Sequence, residues 1–182
     1  MPDEYQGPIR LVMFDVDGVL TDGTLFVDGQ GELVKPFSVR DGLAVGLLRA
    51  HGILSGVLSG KSSAPLDYRI AQLRFDIAVT GRLEKREAYA GIKLEHGLTD
   101  AQIAYVGDDV VDLPLAGLAG QFYAPADAHP LVLARADHVV AARGGHGVAR
   151  EVAEHLLRAG GLDLEAAYRP LIGQWDRVHA AQ

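Results

Sequence analysis

The sequence predicts an α/β fold: a Rossmann-like three-layer arrangement with a central parallel sheet and a β-hairpin inserted after the first strand. Three observations predict it. Short apolar runs alternate with stretches of helical periodicity at the spacing of βαβ units, and right-handed crossovers then put helices on both faces of the sheet. Acidic or small polar clusters follow directly on several of the apolar runs. They would therefore meet beyond the carboxyl ends of the strands, where such sheets bind ligands. Finally, a hairpin pattern follows the first run at once, and a hairpin cannot be part of a parallel sheet.

The first strand, Leu11–Phe14, is wholly apolar and runs into Asp15, Asp17 and Gly18. Residues i and i+2 of an extended chain point the same way, so both carboxylates leave the strand on one side. Two carboxylates so close repel unless a cation or a shared proton lies between them. Magnesium, which favours one or two carboxylates plus substrate phosphate, suits the pair. Gly18 permits a tight turn and keeps a side chain out of the pocket. On these residues alone, an Asp-rich turn that is only solvated or capping stands as the other reading.

The hairpin spans about Thr24–Phe37, with arms Thr24–Val27 and Glu32–Phe37 around the turn Asp28–Gly31. It must project, and Leu25, Phe26, Val34 and Phe37 then need cover, which favours an assembly surface over a flap on its own domain. A helix runs from Asp41 to Ala50, with Leu43 and Leu47 repeating at i+4, and Gly52 stops it. Ile53–Leu58 is the second strand and ends in Ser59-Gly60-Lys61. A helix from about Ala64 to Arg74, a strand Phe75–Val79 and a helix from roughly Leu83 to His96 follow, the last closed by Gly97. The fourth strand, Ile103–Val106, enters Gly107-Asp108-Asp109-Val110-Val111-Asp112, where a helix starting at Asp108 would put Asp112 on the same face one turn on. A short strand Gln121–Ala124, a turn Pro125–Pro130 in which His129 shapes the chain, and an edge strand Asp137–Ala141 precede a closing helix Val148–Arg158. The tail from about Gly160 to Gln182 has weak periodicity, and Trp175 is expected to anchor it to a subunit surface.

The totals bound the function. A chain of 182 residues, 48% hydrophobic and 23% charged, fits one domain with a real core. No apolar run nears the ~20 residues that span a bilayer, and the first ten residues lack the regions of a signal peptide. Without cysteine, a metal must be held by oxygen or imidazole. The expectation is a cytoplasmic protein. A net charge of −7 argues against nucleic acid as a partner. An anionic substrate would need local positive charge from metal, Lys, Arg or helix N-termini.

The string D-V-D-G-V-L-T-D at Asp15–Asp22 resembles the D-x-D-x-[TV]-[LVI]-T signature of haloacid dehalogenase-like phosphohydrolases. The resemblance implies that Asp15 attacks phosphorus to form an aspartyl-phosphate. It makes Asp17 the acid/base that protonates the leaving oxygen and then activates water. Asp108 would complete a magnesium site with Asp15 and the backbone carbonyl of Asp17. Asp109 and Asp112 would lie behind it, orienting the metal's waters or Lys85. Ser59 offers a hydroxyl, and the Gly60 backbone a donor, to a phosphate oxygen. By spacing alone Lys85 is a solvated lysine on an acidic helix. The superfamily's order of motifs, with its lysine between the Ser/Thr and the second acidic cluster, implies instead that Lys85 neutralises Asp15 and the phosphoryl group as a point charge.

Further runs extend the likeness over about Ile9–Leu157: V-R-D-G at Val39–Gly42, A-Y-V-G-D-D-V-V-D-L-P at Ala104–Pro114, A-D-A-H-P at Ala126–Pro130 and G-G-x-G-x-x-R-E at Gly144–Glu151. They are similar to the small phosphatases of the superfamily that have no cap domain, and most to the family of 3-deoxy-D-manno-octulosonate 8-phosphate phosphatases of lipopolysaccharide precursor synthesis. That resemblance implies a magnesium enzyme acting on a small sugar-acid phosphate, and a homotetramer whose hairpins pack together. Arg40 and Lys61 are the candidates for the substrate carboxylate, with an ordinary ion pair to Asp41 or a neighbour as the other reading of Arg40. Lys61 and His146 stand where the family commonly has Arg, so a phosphatase of nine-carbon sugar acids stays open. So do two readings of another class: a phospho-acceptor module like a receiver domain, and a catalytically silent assembly module. A receiver's acidic pair precedes a separate phospho-accepting Asp and its Lys comes last, whereas Lys85 here precedes Asp108.

Overall fold

A computed structural model describes residues 4–180. Its centre is β1 (Leu11–Phe14), all four residues of which are buried. On one side β1 pairs in parallel with β4 (Leu54–Leu58), which pairs with β5 (Ile77–Val79). On the other side lies β6 (Ile103–Val106), then β7 (Gln121–Ala124) and β8 (His138–Val139), so the six strands run β5-β4-β1-β6-β7-β8, all parallel. The chain winds outward from β1 first one way and then the other. This reversal opens the crevice at the carboxyl end of β1. The expected α/β sheet with helices on both faces is what forms, and no cap domain occurs among the described residues.

Alternation along β1 divides the core. Val12 and Phe14 face one apolar layer, built with Leu47, Leu48, Val152 and Leu156. It belongs to α1 (Val39–Ala50) and α5 (Val148–Ala159), with α6 (Leu164–Ala180) packed on them. Leu11 and Met13 face the other, with Tyr89, Ile92, Leu115 and Val132 from α3 (Lys85–His96), a 3-10 turn at Val110–Leu115 and the short α4 (Pro130–Leu133). Such a sheet, covered on both faces, requires the near-continuous apolar strands seen here. Asp41, buried in the first turn of α1, accepts from the amides of Ala149 (2.9 Å) and Gly147 (3.3 Å) at the start of α5. That bond docks the Gly144–Gly147 loop beside the crevice.

Several elements differ from expectation. The tail is helix α6, and Ala166, Ala167 and Leu171 are buried on the core; small alanines and the internal Pro170 hide its periodicity. Trp175 is about half exposed, at 46%, and the side chains beyond it lie outside the described residues. The region after Asp108 is a 3-10 turn rather than an α-helix, because Pro114 lies inside it. The expected turn at Pro125–Pro130 leads into α4, where His129 Nδ1 accepts from the Leu131 amide at 3.2 Å. The hairpin is shorter than expected, with β2 (Phe26–Asp28) and β3 (Gly31–Val34) pairing antiparallel. Leu25, Phe26, Val27, Leu33 and Val34 are exposed on it. Phe37 is not: it is partly buried against the core, with the Arg69 guanidinium 5.6 Å over its ring. Of the first ten residues, 1–3 lie outside the described ones.

Candidate active site

Register places the groups that the sequence singled out. Phe14 is level with Val57 on β4 and Val106 on β6, so Asp15 emerges between Leu58-Ser59 and Gly107-Asp108. The Asp15 amide donates to the Val106 carbonyl at 2.9 Å, carrying the sheet ladder up to the carboxylate itself. Beyond it, the amides of Val19, Leu20 and Thr21 all turn back to the Val16 carbonyl.

Lys85, from the first turn of α3, lies beneath this edge with only 2% of its surface exposed. Its Nζ is 3.0 Å from Asp15 Oδ1 and 2.5 Å from Asp112 Oδ1, and it donates to the Tyr105 hydroxyl at 3.0 Å. Burial alone would lower the lysine's pKa, but Asp15 and Asp112 more than offset it and raise the value. Asp112 is fully buried and saturated. Its Oδ1 also accepts from Tyr105 (2.6 Å), while Oδ2 accepts from the amides of Asp108 (3.0 Å) and Asp109 (3.2 Å).

Asp15, Asp108 and Asp112 each bring a carboxylate oxygen within 4.8 Å of the others, a set able to hold a metal ion. With both Asp112 oxygens taken by donors, Asp15 and Asp108 are the ones free to ligate. Asp108 Oδ1 is buried without a hydrogen-bond partner, the condition a divalent cation with oxygen ligands would relieve. Burial and then Asp112 push the Asp15 carboxyl up to about 7 against the opposing pull of Lys85. Burial and the neighbouring Asp15, Asp112 and Asp109 push Asp108 up to about 8. Both shifts come from burial first and from neighbouring carboxylates second. Gly18, at φ +92°, closes over this pair: a Cβ there would fall 2.0 Å from Asp108 Oδ2. Gly144 packs on Gly18 in turn, where a Cβ would meet the Gly18 carbonyl oxygen at 2.2 Å.

Ser59 is buried at the end of β4, and its Oγ accepts from the Lys61 amide at 3.2 Å, so Ser59, Gly60 and Lys61 form one tight turn beside Asp15. Asp17, one-fifth exposed, faces the opening. Three of the residues singled out in the sequence are exposed. Asp109 is exposed and accepts from its own Val110 amide at 2.7 Å; it makes no contact with Lys85 among the described residues, because it caps the 3-10 turn instead. Arg40 is exposed at the start of α1 and lines a cleft of about 460 Å³ with Asp22, Phe37, Ser38 and His146. Asp41 pairs not with Arg40 but with the α5 amides. Lys61 is exposed at the mouth, where its charge acts on Glu32.

Sequence reasoning missed Lys35. It follows β3, is buried, and ion-pairs with Asp17 Oδ1 and, at 2.7 Å, with Glu32 Oε1. Burial would lower its pKa, but the two carboxylates raise it. The one available signal was position: a lysine beside Pro36 at the point where the hairpin returns to the crevice.

An acid pair ending the central strand of a doubly wound parallel sheet, with a hairpin and no cap after it, places the chain among the haloacid dehalogenase-like phosphohydrolases without a cap. No protein-family model matches it, so relatives narrow the class. The 3-deoxy-D-manno-octulosonate 8-phosphate phosphatase KdsC of Haemophilus influenzae is 44% identical over 153 residues, covering 84% of this chain and 85% of the relative. That of Escherichia coli K12 is 37% identical, covering 84% and 81%. The cobalt-bound Haemophilus influenzae enzyme superposes with a TM-score of 0.84 at 42% identity, over 88% of this chain and 96% of that one. The Moraxella catarrhalis enzyme, solved with magnesium ion, phosphate ion and KDO, gives 0.81 at 33% identity, over 85% and 88%. The chain belongs to the 3-deoxy-D-manno-octulosonate 8-phosphate phosphatase family.

Proposed function

We propose that this chain, as a single phosphatase domain, hydrolyses 3-deoxy-D-manno-octulosonate 8-phosphate to the free sugar acid and phosphate, with magnesium as cofactor. The observation that carries the reading is the buried chain Asp15–Lys85–Asp112, with spacings of 3.0 and 2.5 Å, beside the unpartnered Oδ1 of Asp108.

In this reading Asp15 attacks phosphorus, the bond to the sugar oxygen breaks, and Asp17 gives that oxygen its proton. Water then attacks the aspartyl-phosphate while Asp17 takes a proton from it, which restores Asp15 and releases phosphate. Lys85 holds one oxygen of Asp15 and fixes its carboxylate for in-line attack. Asp112 holds Lys85 in turn, and Ser59 with the Gly60 amide receives the phosphoryl oxygens. Asp15, Asp108 and the Asp17 carbonyl would hold magnesium, which neutralises phosphate charge when bound. Lys61 at the mouth and Arg40 on the rim are the cations for the substrate carboxylate.

We assign the exposed apolar side chains of β2 and β3 to a hairpin-packed homotetramer. No described helix is long and apolar enough to cross a membrane, and the cytoplasmic setting expected from the sequence goes with this reading. The test is phosphate release with magnesium across eight- and nine-carbon sugar-acid phosphates, compared by kcat/KM. The eight-carbon substrate should lead, and EDTA should stop release. A nine-carbon preference would replace the substrate. No release, with a stable acyl phosphate, would replace the enzyme by a phospho-acceptor.

A further inference from the structure

We propose that Lys35 is a positioning residue for the acid/base step: it holds Asp17 by one carboxylate oxygen and, through Glu32, ties the hairpin to catalysis. The inference rests on the phosphatase reading above and adds to it a group from outside the motif-bearing loops.

Two contacts fall on Asp17 Oδ1, the Lys35 ammonium and, more loosely, the Thr21 hydroxyl at 3.5 Å. Among the described residues no hydrogen bond reaches Oδ2. One oxygen is thus anchored and the other is left to carry the proton. When that proton passes to the sugar oxygen, the negative charge left on Asp17 forms beside an ammonium already in place, which costs no reorganisation at that moment. Lys35 is itself held from behind by Glu32, and its side chain is fully shielded from solvent. Burying an ammonium between two carboxylates is costly, and apolar contacts would dock a hairpin as well. What those contacts could not do is fix the orientation of the Asp17 carboxyl. A chain separation of 18 residues puts this control in the hairpin, so the element assigned to assembly also sets the acid.

The test exploits leaving-group chemistry. Departure of a sugar alkoxide needs a proton, whereas 4-nitrophenolate leaves nearly without one. We would measure kcat/KM, which covers the steps through formation of the aspartyl-phosphate, for wild type, Lys35→Met, Lys35→Gln and Lys35→Arg. The substrates are 3-deoxy-D-manno-octulosonate 8-phosphate, arabinose 5-phosphate, which is an alkyl phosphate without a carboxylate, and 4-nitrophenyl phosphate. Positioning predicts a loss of about 10- to 100-fold on both alkyl phosphates, a much smaller loss on the aryl phosphate, and partial rescue by Lys35→Arg. Equal losses on all three substrates would reduce Lys35 to a structural residue. A loss confined to the sugar acid would make it a carboxylate contact. Either result overturns the proposal. Lys35→Gln serves the same comparison where Lys35→Met fails to fold. Wild type inactive on every substrate would remove the phosphatase reading, and this proposal with it.

Discussion

Lys85→Met should destabilise the metal-free protein strongly, and magnesium should return part of the loss. The ammonium lies 3.0 Å from Asp15 and 2.5 Å from Asp112, and the lysine and Asp112 are at most 2% exposed. Removing it strands two buried carboxylates, one of which, Asp15, is already pushed up to about 7 with the lysine present. Breaking a buried pair from one side costs roughly 3–5 kcal/mol. At about 2–4 °C per kcal/mol for a domain of this size, the melting temperature in EDTA should fall by about 6–20 °C. Bound magnesium would supply positive charge at Asp15, one of the two, so its addition should raise the variant's melting temperature more than that of wild type. Scanning calorimetry or thermal shift, with and without EDTA, measures both. Lys85→Met combined with Asp112→Asn should lose less than the sum of the single variants, since each removes the other's partner. A variant within 2 °C (about 0.5–1 kcal/mol) of wild type in EDTA, or double-variant losses that simply add, would refute the buried-charge account.

Gly18→Ala combines an unfavourable φ of +92° with a Cβ 2.0 Å from Asp108 Oδ2. Strain of about 1–2 kcal/mol and a displaced Asp108 should cut kcat/KM by about 100-fold or more and weaken magnesium binding, read by titration calorimetry. The raised carboxyl groups of Asp15 and Asp108, at about 7 and about 8, make the fold bind more protons than the unfolded chain from near pH 4 upward. Their contribution to metal-free stability is therefore present at low pH and is lost as pH rises through those values. Protons compete with the metal, so the magnesium-induced rise in melting temperature should be larger at about pH 8 than at about pH 5.5; an equal rise at both would count against these ligands. Phe26→Asp with Leu33→Asp puts charge on the exposed hairpin and should lower the mass by light scattering below that of the proposed homotetramer.

What the sequence made legible were groups whose place follows from the chain next to them. Asp15, Ser59 and Asp108 each come directly after an apolar run, so a parallel sheet with β1 at its switch point brings them together without further information. Lys85 and Asp112 needed the order of motifs, because a lysine on a charged helix and an acid in a turn give no local sign of burial. Asp109 shows the limit of that route: neighbouring Asp112 takes the interior position, and Asp109 caps the turn. Asp41 and α6 were hidden for a different reason. Asp41 finds its partners more than a hundred residues on, at the amides of Gly147 and Ala149, and α6 is held through alanines that carry almost no periodic signal. Lys35 combines both difficulties. In the hairpin's sequence it is one more polar residue beside a turn, yet the chain buries it against Asp17. A charged residue's role is set by what lies opposite it after folding. The hairpin, which projects from the sheet, is where sequence neighbours say least about that, and where Lys35 ties a surface element to the acid/base.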